Sequence, residues 1–368
     1  MAETFPSIDP ALAGLRQQID AVDRELLNLL NRRARLAQQV GEVKKHEGSV
    51  VFRPEREVQV IEGLQTVNEG PIQAASIGPI WREIMSACRS LEAPLRVAFL
   101  GPAGTFSEQA ALTYFGASVT PVPCTGIDEV FRATTAGTAD FGVVPVENST
   151  EGVVARSLDL FLSTPLTLIG ETSLAVRHNL LRREPSLEGI AAVCAHPQAL
   201  AQCHGWLGSQ LPQVERRPVS SNAEGARLAG LDPTLAALAS EKAASQWGLH
   251  VVVPAVQDDP NNRTRFVIVA HPDRQPSPGI SGQDCTSLIV SVENRPGAVH
   301  DMLVPLKTGG VSMTRFESRP ARSGQWEYYF HIDIKGHQAD PAVAQALQEL
   351  RKVCAFFKVL GSYPMDVK

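Results

Sequence analysis

The chain of 368 residues is longer than one hydrophobic core usually organises, so its length predicts two to four domains. Its net charge of -5 offers no basic surplus for a nucleic acid or an anionic membrane. No stretch approaches the roughly 20 apolar residues that span a bilayer, and residues 1–6 lack a basic region followed by an apolar run. We therefore expect a cytosolic protein that binds neither nucleic acid nor membrane. The six cysteines form no C-x-x-C pair and match no metal-ligand spacing, so we expect reduced thiols, no metal and no other cofactor.

The first predicted element is a long helix that starts at Asp9 and Pro10, an N-cap followed by proline at the first helical position. Its apolar residues recur in steps of four and three, as in a coiled coil: Leu15, Ile19, Val22, Leu26, Leu29, Leu36, Val40 and Val43. Arg33 stands on this stripe where an apolar residue is due. Burying its charge is unfavourable unless an anion meets it, so Arg33 needs a carboxylate from a partner helix or from a ligand.

Arg16 and Lys44 lie on the adjoining stripe of the same helix. At 1.5 Å rise per residue they are roughly 40 Å apart, so they share one small ligand only if an antiparallel second copy completes the site. The hypothesis therefore includes a homodimer. A second helix is predicted near Arg53 and a third from about Ile77 to Glu92, which places Glu92 one turn past Cys88 on the apolar side.

These helices carry motifs that resemble the all-helical chorismate mutase family, whose members are intertwined dimers of three-helix chains. The motifs are Leu15-Arg16, Asn31-Arg32-Arg33, Val40-Gly41-Glu42-Val43-Lys44 and Arg56-Glu57. The mutase reaction is a pericyclic rearrangement that needs no nucleophile. Cations that hold the two carboxylates of the substrate, together with a hydrogen-bond donor to its ether oxygen, are therefore sufficient for catalysis. The resemblance implies that Arg16 of the other chain and Arg33 hold the carboxylates of chorismate. It also implies that Lys44 and Glu92 face the ether oxygen and that Glu57 binds the substrate hydroxyl, with Arg56 beside it.

The chain departs from the common pattern of that family at two positions. Glutamine is usual where Glu92 stands, and serine is usual where Cys88 stands in the substrate-binding set. An ionised Glu92 would repel the ether oxygen. We therefore hypothesise that Glu92 acts in its protonated form and that the mutase is faster at mildly acid pH.

After residue 94 the pattern changes to alternating strands and helices, with polar clusters next to apolar strands. A glycine turn leads to Thr105 and Glu108, whose spacing is that of a capping box at a helix start. A helix start after such a turn predicts an anion site. The alternative is that the turn is purely structural, since glycine turns before helices are common. The other clusters are Glu147-Asn148-Ser149, His196-Pro197-Gln198, Ser220-Ser221-Asn222 and Asn262-Arg263-Thr264-Arg265, the last just before the apolar strand Phe266–Ala270. This arrangement is typical of a doubly wound α/β sheet that binds its ligand at the strand ends.

The ordered set Gly-Pro-Ala-Gly-Thr-Phe-Ser, Asp-Phe-Gly-Val-Val-Pro-Val-Glu-Asn-Ser, His-Pro-Gln-Ala and Asn-Arg-Thr-Arg-Phe resembles prephenate dehydratase. The resemblance implies two α/β lobes with a cleft between them, like the periplasmic solute-binding proteins. It implies that Thr264 donates a proton to the departing ring hydroxyl, while decarboxylation makes the ring aromatic. Arg265 and the backbone amides near Thr105 and Ser221 would hold the carboxylates of prephenate. The remaining residues implied to assist or to bind substrate are Ser107, Glu147, Asn148, Ser149, Gln198 and Asn222, where threonine is usual at 222.

The stretch Pro272–Gly282, with three prolines and two glycines, predicts a linker, and a βαββαβ pattern of ferredoxin-like order follows it. Two segments in this pattern resemble the amino-acid-binding ACT domain. That resemblance implies an L-phenylalanine site at a dimer interface, formed by Arg295, Pro296, Gly297, Ala298 and Val299 together with Glu317, Ser318, Arg319 and Pro320. The alternative is a dimerisation domain that binds nothing.

The three resemblances imply a mutase domain over 1–93, a dehydratase domain over 95–272 and an ACT regulatory domain over 284–368. Such an enzyme converts chorismate to prephenate and prephenate to phenylpyruvate in phenylalanine biosynthesis, is inhibited by phenylalanine, and forms a homodimer or a tetramer. One alternative is a non-catalytic amino-acid or dicarboxylate sensor, which the pair Thr264-Arg265 disfavours. Another is a mutase joined to a prephenate dehydrogenase, but no nicotinamide-binding fingerprint follows Leu100.

Overall fold

The computed structural model describes residues 10–47, 50, 52–273, 278–321 and 328–366. The predicted N-cap Asp9, part of the predicted linker and the predicted strand start at Glu327 lie outside these residues. Within them, no helix is long and apolar enough to cross a membrane.

The N-terminal module consists of three helices, α1 (Pro10–Glu47), α2 (Pro54–Thr66) and α3 (Ala74–Ser90). Its long first helix is continuous over 38 residues, as the coiled-coil pattern predicts. The apolar stripe of α1 is uncovered within one chain, since Leu15 is 57%, Val22 61% and Leu36 54% exposed. The side chain of Phe52, just before α2, is instead buried among Tyr114, Phe115 and Phe141 of the following domain. Phe52 thus attaches the helical module to the α/β domain.

The first lobe of the α/β domain is built on a six-stranded sheet with the strand order β2-β1-β3-β11-β5, in which β4 pairs with β3. Its elements before the chain leaves the lobe are β1 (Arg96–Leu100), α4 (Phe106–Phe115), β2 (Thr120–Cys124), α5 (Ile127–Ala136), β3 (Phe141–Asn148), β4 (Gly152–Val153), α6 (Ala155–Ser163) and β5 (Thr167–Ala175).

The second lobe has a five-stranded sheet with the order β10-β6-β9-β7-β8. Its elements are β6 (Asn179–Arg182), β7 (Ala192–Ala195), α7 (Pro197–Gln202), α8 (His204–Gln210), β8 (Glu215–Pro218), α9 (Asn222–Leu231), β9 (Leu235–Ala239), α10 (Glu241–Trp247) and β10 (His250–Val253). The chain then returns to the first sheet as β11 (Arg263–Ala270), between β3 and β5. The two lobes are therefore joined by two crossings, after β5 and before β11, and the fold has the two-lobed architecture that the resemblance implies.

Strand β11 begins at Arg263, three residues before the predicted start at Phe266. Its register against β3 shifts between Arg265 and Phe266, because Thr264 pairs with Asn148 whereas Phe266 pairs with Pro145. One extra residue of β3, Val146, therefore lies opposite this step as a bulge. The bulge decides which side chains of β3 share a face with Thr264.

The C-terminal domain has a four-stranded sheet with the order β13-β14-β12-β15 and two helices on one of its faces. Its elements are β12 (Asp284–Ser291), α11 (Ala298–Thr308), β13 (Met313–Pro320), β14 (Tyr328–Lys335), α12 (Pro341–Val353) and β15 (Phe356–Pro364), which is the predicted βαββαβ order. The other face packs on the first lobe, where Cys285, Ile289 and Leu360 join the core of the six-stranded sheet. At Gly361 the two domains approach so closely that a Cβ atom would lie 2.1 Å from the carbonyl oxygen of Leu168.

Candidate active site

A cavity of about 320 Å³ lies between the two lobes of the α/β domain. The predicted site residues that line it are Thr105, Ser107, Asn148, Gln198, Ser221, Asn222 and Thr264. They are far apart in the chain and reach one cavity because strand ends and helix starts of both lobes converge there. Among the described residues that line the cavity, none is lysine, arginine, aspartate or glutamate. A bound anion would therefore meet backbone N–H groups and neutral side chains.

Thr264 and Asn148 form the central contact of the cavity. The Asn148 Nδ2 atom lies 2.9 Å from Thr264 Oγ1, and the Asn148 Oδ1 atom accepts hydrogen bonds from the backbone N–H groups of Thr150 and Glu151. Those two bonds fix the orientation of the amide, so its NH₂ end faces Thr264. Because an amide NH₂ group only donates, Thr264 Oγ1 is the acceptor, and the threonine proton remains available to a ligand.

A line of amides continues from Asn148 into the second lobe. Asn148 Nδ2 also donates to Asn262 Oδ1 at 2.8 Å, Asn262 Nδ2 donates to Gln202 Oε1 at 3.0 Å, and Gln202 Nε2 donates to Glu151 Oε1 at 3.3 Å. Asn262 is 1% exposed, so both ends of its amide are satisfied within the protein. These bonds connect Asn262 and Gln202 to Asn148, and neither of the two is among the site residues expected from the sequence. For Asn262 the available signal was its position two residues before Thr264.

His178 also lines the cavity and was not selected from the sequence. Its Nε2 atom lies 3.0 Å from Gln202 Oε1, a carbonyl oxygen that only accepts, so Nε2 carries the proton. Burial lowers the pKa of His178, although the hydrogen bond to Gln202 opposes that shift. The imidazole is therefore neutral at pH 7, and its ring packs edge-on against Phe106.

The starts of two ten-residue helices supply the positive potential of the cavity. At α4 the N-cap Thr105 accepts a hydrogen bond from the N–H of Glu108, and at α9 the N-cap Ser221 accepts from the N–H of Glu224. Each such helix start carries the equivalent of about half a positive charge. The side chain of Asn222 is engaged within the protein, because its Oδ1 accepts from the backbone N–H of His196. That contact ties α9 to the start of α7.

The structure corrects the prediction that Arg265 reaches the substrate. Arg265 follows Thr264 within β11, so its side chain points to the opposite face of the sheet. There its Nη1 lies 2.6 Å from Asp333 Oδ2 and its Nη2 lies 2.6 Å from Glu171 Oε2. The sequence predicts the strand only from Phe266 onward, and outside a strand neighbouring side chains need not alternate.

Glu147 and Ser149 also lie outside the cavity lining, which corrects their predicted contact with substrate. Because of the bulge at Val146, Glu147 shares the face of Arg265, and its Oε2 lies 3.0 Å from Arg315 Nε of the C-terminal domain. The hydroxyl of Ser149 accepts a hydrogen bond from the backbone N–H of Arg263, so it holds the start of β11.

The structure brings only some of the candidate mutase residues together. On α1, Arg33 and Lys44 are half-buried and Arg16 is exposed, and 28 residues of one helix place Arg16 roughly 40 Å from Lys44. Arg56 of α2 is exposed and Cys88 of α3 is buried. One chain therefore lacks Arg16 at the end of α1 where Lys44 lies.

Glu57 of α2 is held by Arg89 of α3, a residue that the sequence reasoning did not select. The two form an ion pair, and Arg89 Nη2 also donates to the carbonyl oxygen of Phe115 in the α/β domain. Burial raises the pKa of Glu57, and the charges of Arg89, Arg82 and Arg33 oppose that rise. The carboxyl group of Glu57 thus lies in the field of Arg33, as a shared site requires.

Glu92 packs against α1 at Gly41. A Cβ atom on Gly41 would lie 2.8 Å from Glu92 Cγ, so the glycine makes room for this side chain. Within the described part of the chain, Glu92 Oε2 is buried without a hydrogen-bond partner. A buried carboxylate oxygen in this position needs a hydrogen-bond partner, which a ligand can supply.

The two ACT motifs occupy different parts of the C-terminal domain. In the first, Gly297 has φ +80° at the N-cap of α11, and Arg295 pairs with Asp301 of that helix. The second lies on β13, at the edge of its sheet, where Arg319 pairs with Asp159 of α6. The remaining predicted residues, Pro296, Ala298, Val299, Glu317, Ser318 and Pro320, lie on the same two elements or directly before them.

Comparison with known proteins gives the same three modules. Family models match as chorismate mutase type II over residues 15–93, prephenate dehydratase over 97–274 and ACT domain over 286–352. A bifunctional chorismate mutase/prephenate dehydratase of Neisseria gonorrhoeae is 48% identical over 364 residues, which cover 98% of this chain and 99% of that protein.

Among solved structures, a prephenate dehydratase of Arthrobacter aurescens in complex with L-Phe matches with a TM-score of 0.67 at 35% identity, over 73% of this chain and 90% of that one. A structure described as a quorum-quenching acylase matches with a TM-score of 0.67 at 30% identity, over 74% of this chain and 98% of that one.

Proposed function

Because the chain belongs to the bifunctional chorismate mutase/prephenate dehydratase family, we propose that it dehydrates prephenate in the cavity between the lobes and rearranges chorismate on α1 to α3. The observation that carries the first assignment is the contact of 2.9 Å between Asn148 Nδ2 and Thr264 Oγ1. It leaves the threonine proton free in a cavity with room for a small dicarboxylate.

In the dehydratase reaction Thr264 gives its proton to the hydroxyl group that leaves the ring. The C–O bond breaks to release water, the bond to the ring carboxylate breaks to release CO₂, and its electron pair makes the ring aromatic. A threonine hydroxyl is a weak acid, but Asn148 donates to the oxygen on which negative charge develops. Because proton transfer coincides with CO₂ loss, no free alkoxide has to accumulate, and Thr264 recovers its proton from solvent.

The two carboxylates of prephenate bind at the starts of α4 and α9, near Thr105 and Ser221. Backbone N–H groups and the helix dipoles favour anions there without a charged side chain. Gln198, at the start of α7, supplies a further polar contact.

The mutase reaction uses two copies of the chain. The exposed apolar stripe of α1 runs almost the whole helix, and a second, antiparallel α1 is an occupant of matching length and pattern. That arrangement brings Arg16 of the partner chain to the end where Arg33, Lys44, Glu57 and Glu92 lie. Arg16 and Arg33 hold the carboxylates, Lys44 and Glu92 face the ether oxygen, and Glu57 binds the hydroxyl.

The ACT domain binds L-phenylalanine and thereby inhibits the enzyme. Support comes from the ACT family match and from the related dehydratase that is in complex with L-Phe. The site comprises the segment 295–299 of one copy and the segment 317–320 of another, so the regulated form is a dimer or a tetramer. The chain works in the cytoplasm, where its substrates are metabolites.

Purified chain incubated with chorismate is expected to form phenylpyruvate, and to form less with L-phenylalanine present. Binding of prephenate without phenylpyruvate would instead indicate a sensor. Formation of product only with a nicotinamide cofactor would indicate a dehydrogenase. Sedimentation equilibrium measures the assembly, and a monomer that has full mutase activity would refute the shared site.

A further inference from the structure

The two strands that carry the candidate catalytic residues present different chemistry on their two faces. Asn148 and Thr264 point into the cavity, while the preceding Glu147 and the following Arg265 point to the ACT domain. The bulge at Val146 is what puts Glu147 and Arg265 on one side together. Each cavity residue is therefore one peptide unit away from a charged residue that contacts the ACT domain.

The ACT domain meets these charges with two neighbouring strands, β13 at the edge of its sheet and β14 beside it. Arg315 of β13 pairs with Glu147, and Asp333 of β14 pairs with Arg265. Asp333 is held in turn by a hydrogen bond from Ser287 of β12. The pair Arg315–Glu147 is the more accessible of the two, with its side chains 15% and 40% exposed.

Strand β13 also carries the second ACT motif. Its burial alternates, so Arg315, Glu317 and Arg319 are half-buried while Phe316 and Ser318 between them are exposed. Arg315 and Arg319 face the dehydratase domain, where they pair with Glu147 and Asp159. A ligand that shifts the segment 316–320 therefore shifts Arg315, its immediate neighbour along a stiff extended strand.

We propose that Glu147 and Arg315 are a positioning pair through which the ACT domain sets the place of Asn148 and, with it, the acidity and aim of the Thr264 hydroxyl. This inference rests on the proposed function, in that it names the route by which L-phenylalanine reaches the dehydratase site. Neither residue touches the substrate.

Small movements suffice for such control. Glu147 and Asn148 share one planar peptide unit, so a displacement of Glu147 toward or away from Arg315 is passed to Asn148. The hydrogen bond from Asn148 to Thr264 is 2.9 Å long, and lengthening it beyond about 3.5 Å removes it. A shift of well under 1 Å at Glu147 is then enough to weaken proton donation by Thr264.

A matched control lies four residues along the same strand. Arg319 pairs with Asp159 across the same domain boundary, at 3.1 Å and with a more buried carboxylate than that of Glu147, but Asp159 belongs to α6. No residue of 155–163 lines the cavity. Asp159→Asn therefore removes one boundary ion pair without replacing a residue of β3 or β13, and we expect the bound effector to inhibit this variant as it inhibits wild type.

The test measures phenylpyruvate formation from prephenate by full-length Arg315→Gln, Glu147→Gln and Asp159→Asn, each with and without saturating L-phenylalanine. The ratio of the rate without L-phenylalanine to the rate with it measures the inhibition. This ratio is expected to be at least about fivefold smaller in Arg315→Gln and Glu147→Gln than in wild type, which corresponds to loss of a typical coupling between sites. Calorimetric binding of L-phenylalanine is expected to be unchanged in Arg315→Gln and Glu147→Gln. The rates of Asp159→Asn are compared at L-phenylalanine concentrations that saturate that variant, because its partner Arg319 is a proposed effector residue. The exchanged pair Glu147→Arg with Arg315→Glu is expected to recover much of the response, which a merely structural role would not produce.

Three results would overturn the inference. Full inhibition in Arg315→Gln and Glu147→Gln would show that the pair does not carry the signal. Loss of phenylalanine binding in Arg315→Gln would assign that residue to the effector site instead. Equal loss of response in Asp159→Asn would show that any loosening of the boundary has the same effect. If phenylalanine did not inhibit the wild-type enzyme, the regulatory part of the proposed function would be refuted as well. That outcome differs from the three above, in which wild type is inhibited.

Discussion

Replacing Thr264 by valine tests the proposed dehydratase chemistry most directly, because valine keeps the shape of the side chain and removes only its hydroxyl. General acid catalysis typically accelerates a reaction 10²–10⁴-fold, so kcat for phenylpyruvate formation should fall by that factor. This fall corresponds to a rise of about 3–5 kcal/mol in the activation free energy. The fold should tolerate the change. Asn148 keeps its bonds to Asn262 Oδ1 at 2.8 Å and to the Arg263 carbonyl at 3.2 Å, so the expected loss of unfolding free energy is only about 1 kcal/mol.

The assay follows phenylpyruvate with prephenate supplied, and chorismate consumption in parallel. Thr264→Val should consume chorismate at a near-normal rate and accumulate prephenate, and Thr264→Ala should behave likewise. Thr264→Ser keeps the hydroxyl and should retain most of the dehydratase activity. If Thr264→Val dehydrated prephenate within tenfold of wild type while folded, the proton would come from elsewhere, and the reasoning from the Asn148 contact would fail.

Four further changes test other parts of the molecule. Arg33→Ala should lower the mutase kcat by about 10²–10³ while dehydration of added prephenate is unaffected, and a loss of both activities in folded protein would refute separate sites. Glu92→Gln should flatten the mutase pH–rate profile, which in wild type should rise toward mildly acid pH; an unchanged profile would rule out a protonated Glu92. Gly361→Ala should lower the free energy of unfolding by about 1–3 kcal/mol, measured by urea denaturation, since its Cβ would meet the carbonyl oxygen of Leu168 at 2.1 Å. Burial and the charge of Arg315 lower the pKa of His331 to about 4, from an ordinary value of 6.5. As the pH falls, His331 is therefore protonated in the unfolded chain before it is protonated in the folded protein. The free energy of unfolding should fall by up to about 3 kcal/mol as the pH drops from 6.5 to 4, and it should fall less in His331→Gln. Thermal unfolding measured at both pH values checks this, and an identical change in Tm in the two proteins would contradict it.

The elements with strong periodicity were predictable from the sequence. The stripe from Leu15 to Val43 predicts α1 over nearly its whole length, and the alternation after residue 94 predicts an α/β sheet domain and the βαββαβ domain. The division of the α/β domain into two lobes was implied only by the resemblance to prephenate dehydratase. The capping-box spacing of Thr105 and Glu108 likewise gives the start of α4, where Thr105 accepts from the Glu108 N–H. These features depend on residues that are near each other in the chain, so they can be recognised in a single sequence.

The partners of individual side chains were not predictable in this way. Arg265 looked like a ligand for a carboxylate and proved to pair with Asp333, 68 residues further on. Asn262 stood in a polar cluster without an assigned role and Gln202 in no motif, yet the two carry the line of amides that ends at Asn148. Hydrogen bonds between residues so far apart leave no spacing that a single sequence displays.

The sequence alone determined the order of the three modules and the segments that hold their sites, because hydrophobic periodicity and local motifs are properties of neighbouring residues. Only the tertiary structure decided which side of each strand faces the cavity. A start of β11 at Arg263 and one extra residue at Val146 put Thr264 and Asn148 on the cavity side and put Arg265 and Glu147 against the ACT domain. Since side chains alternate with a period of two, a shift of one residue exchanges the two faces, and strand pairing sets that shift.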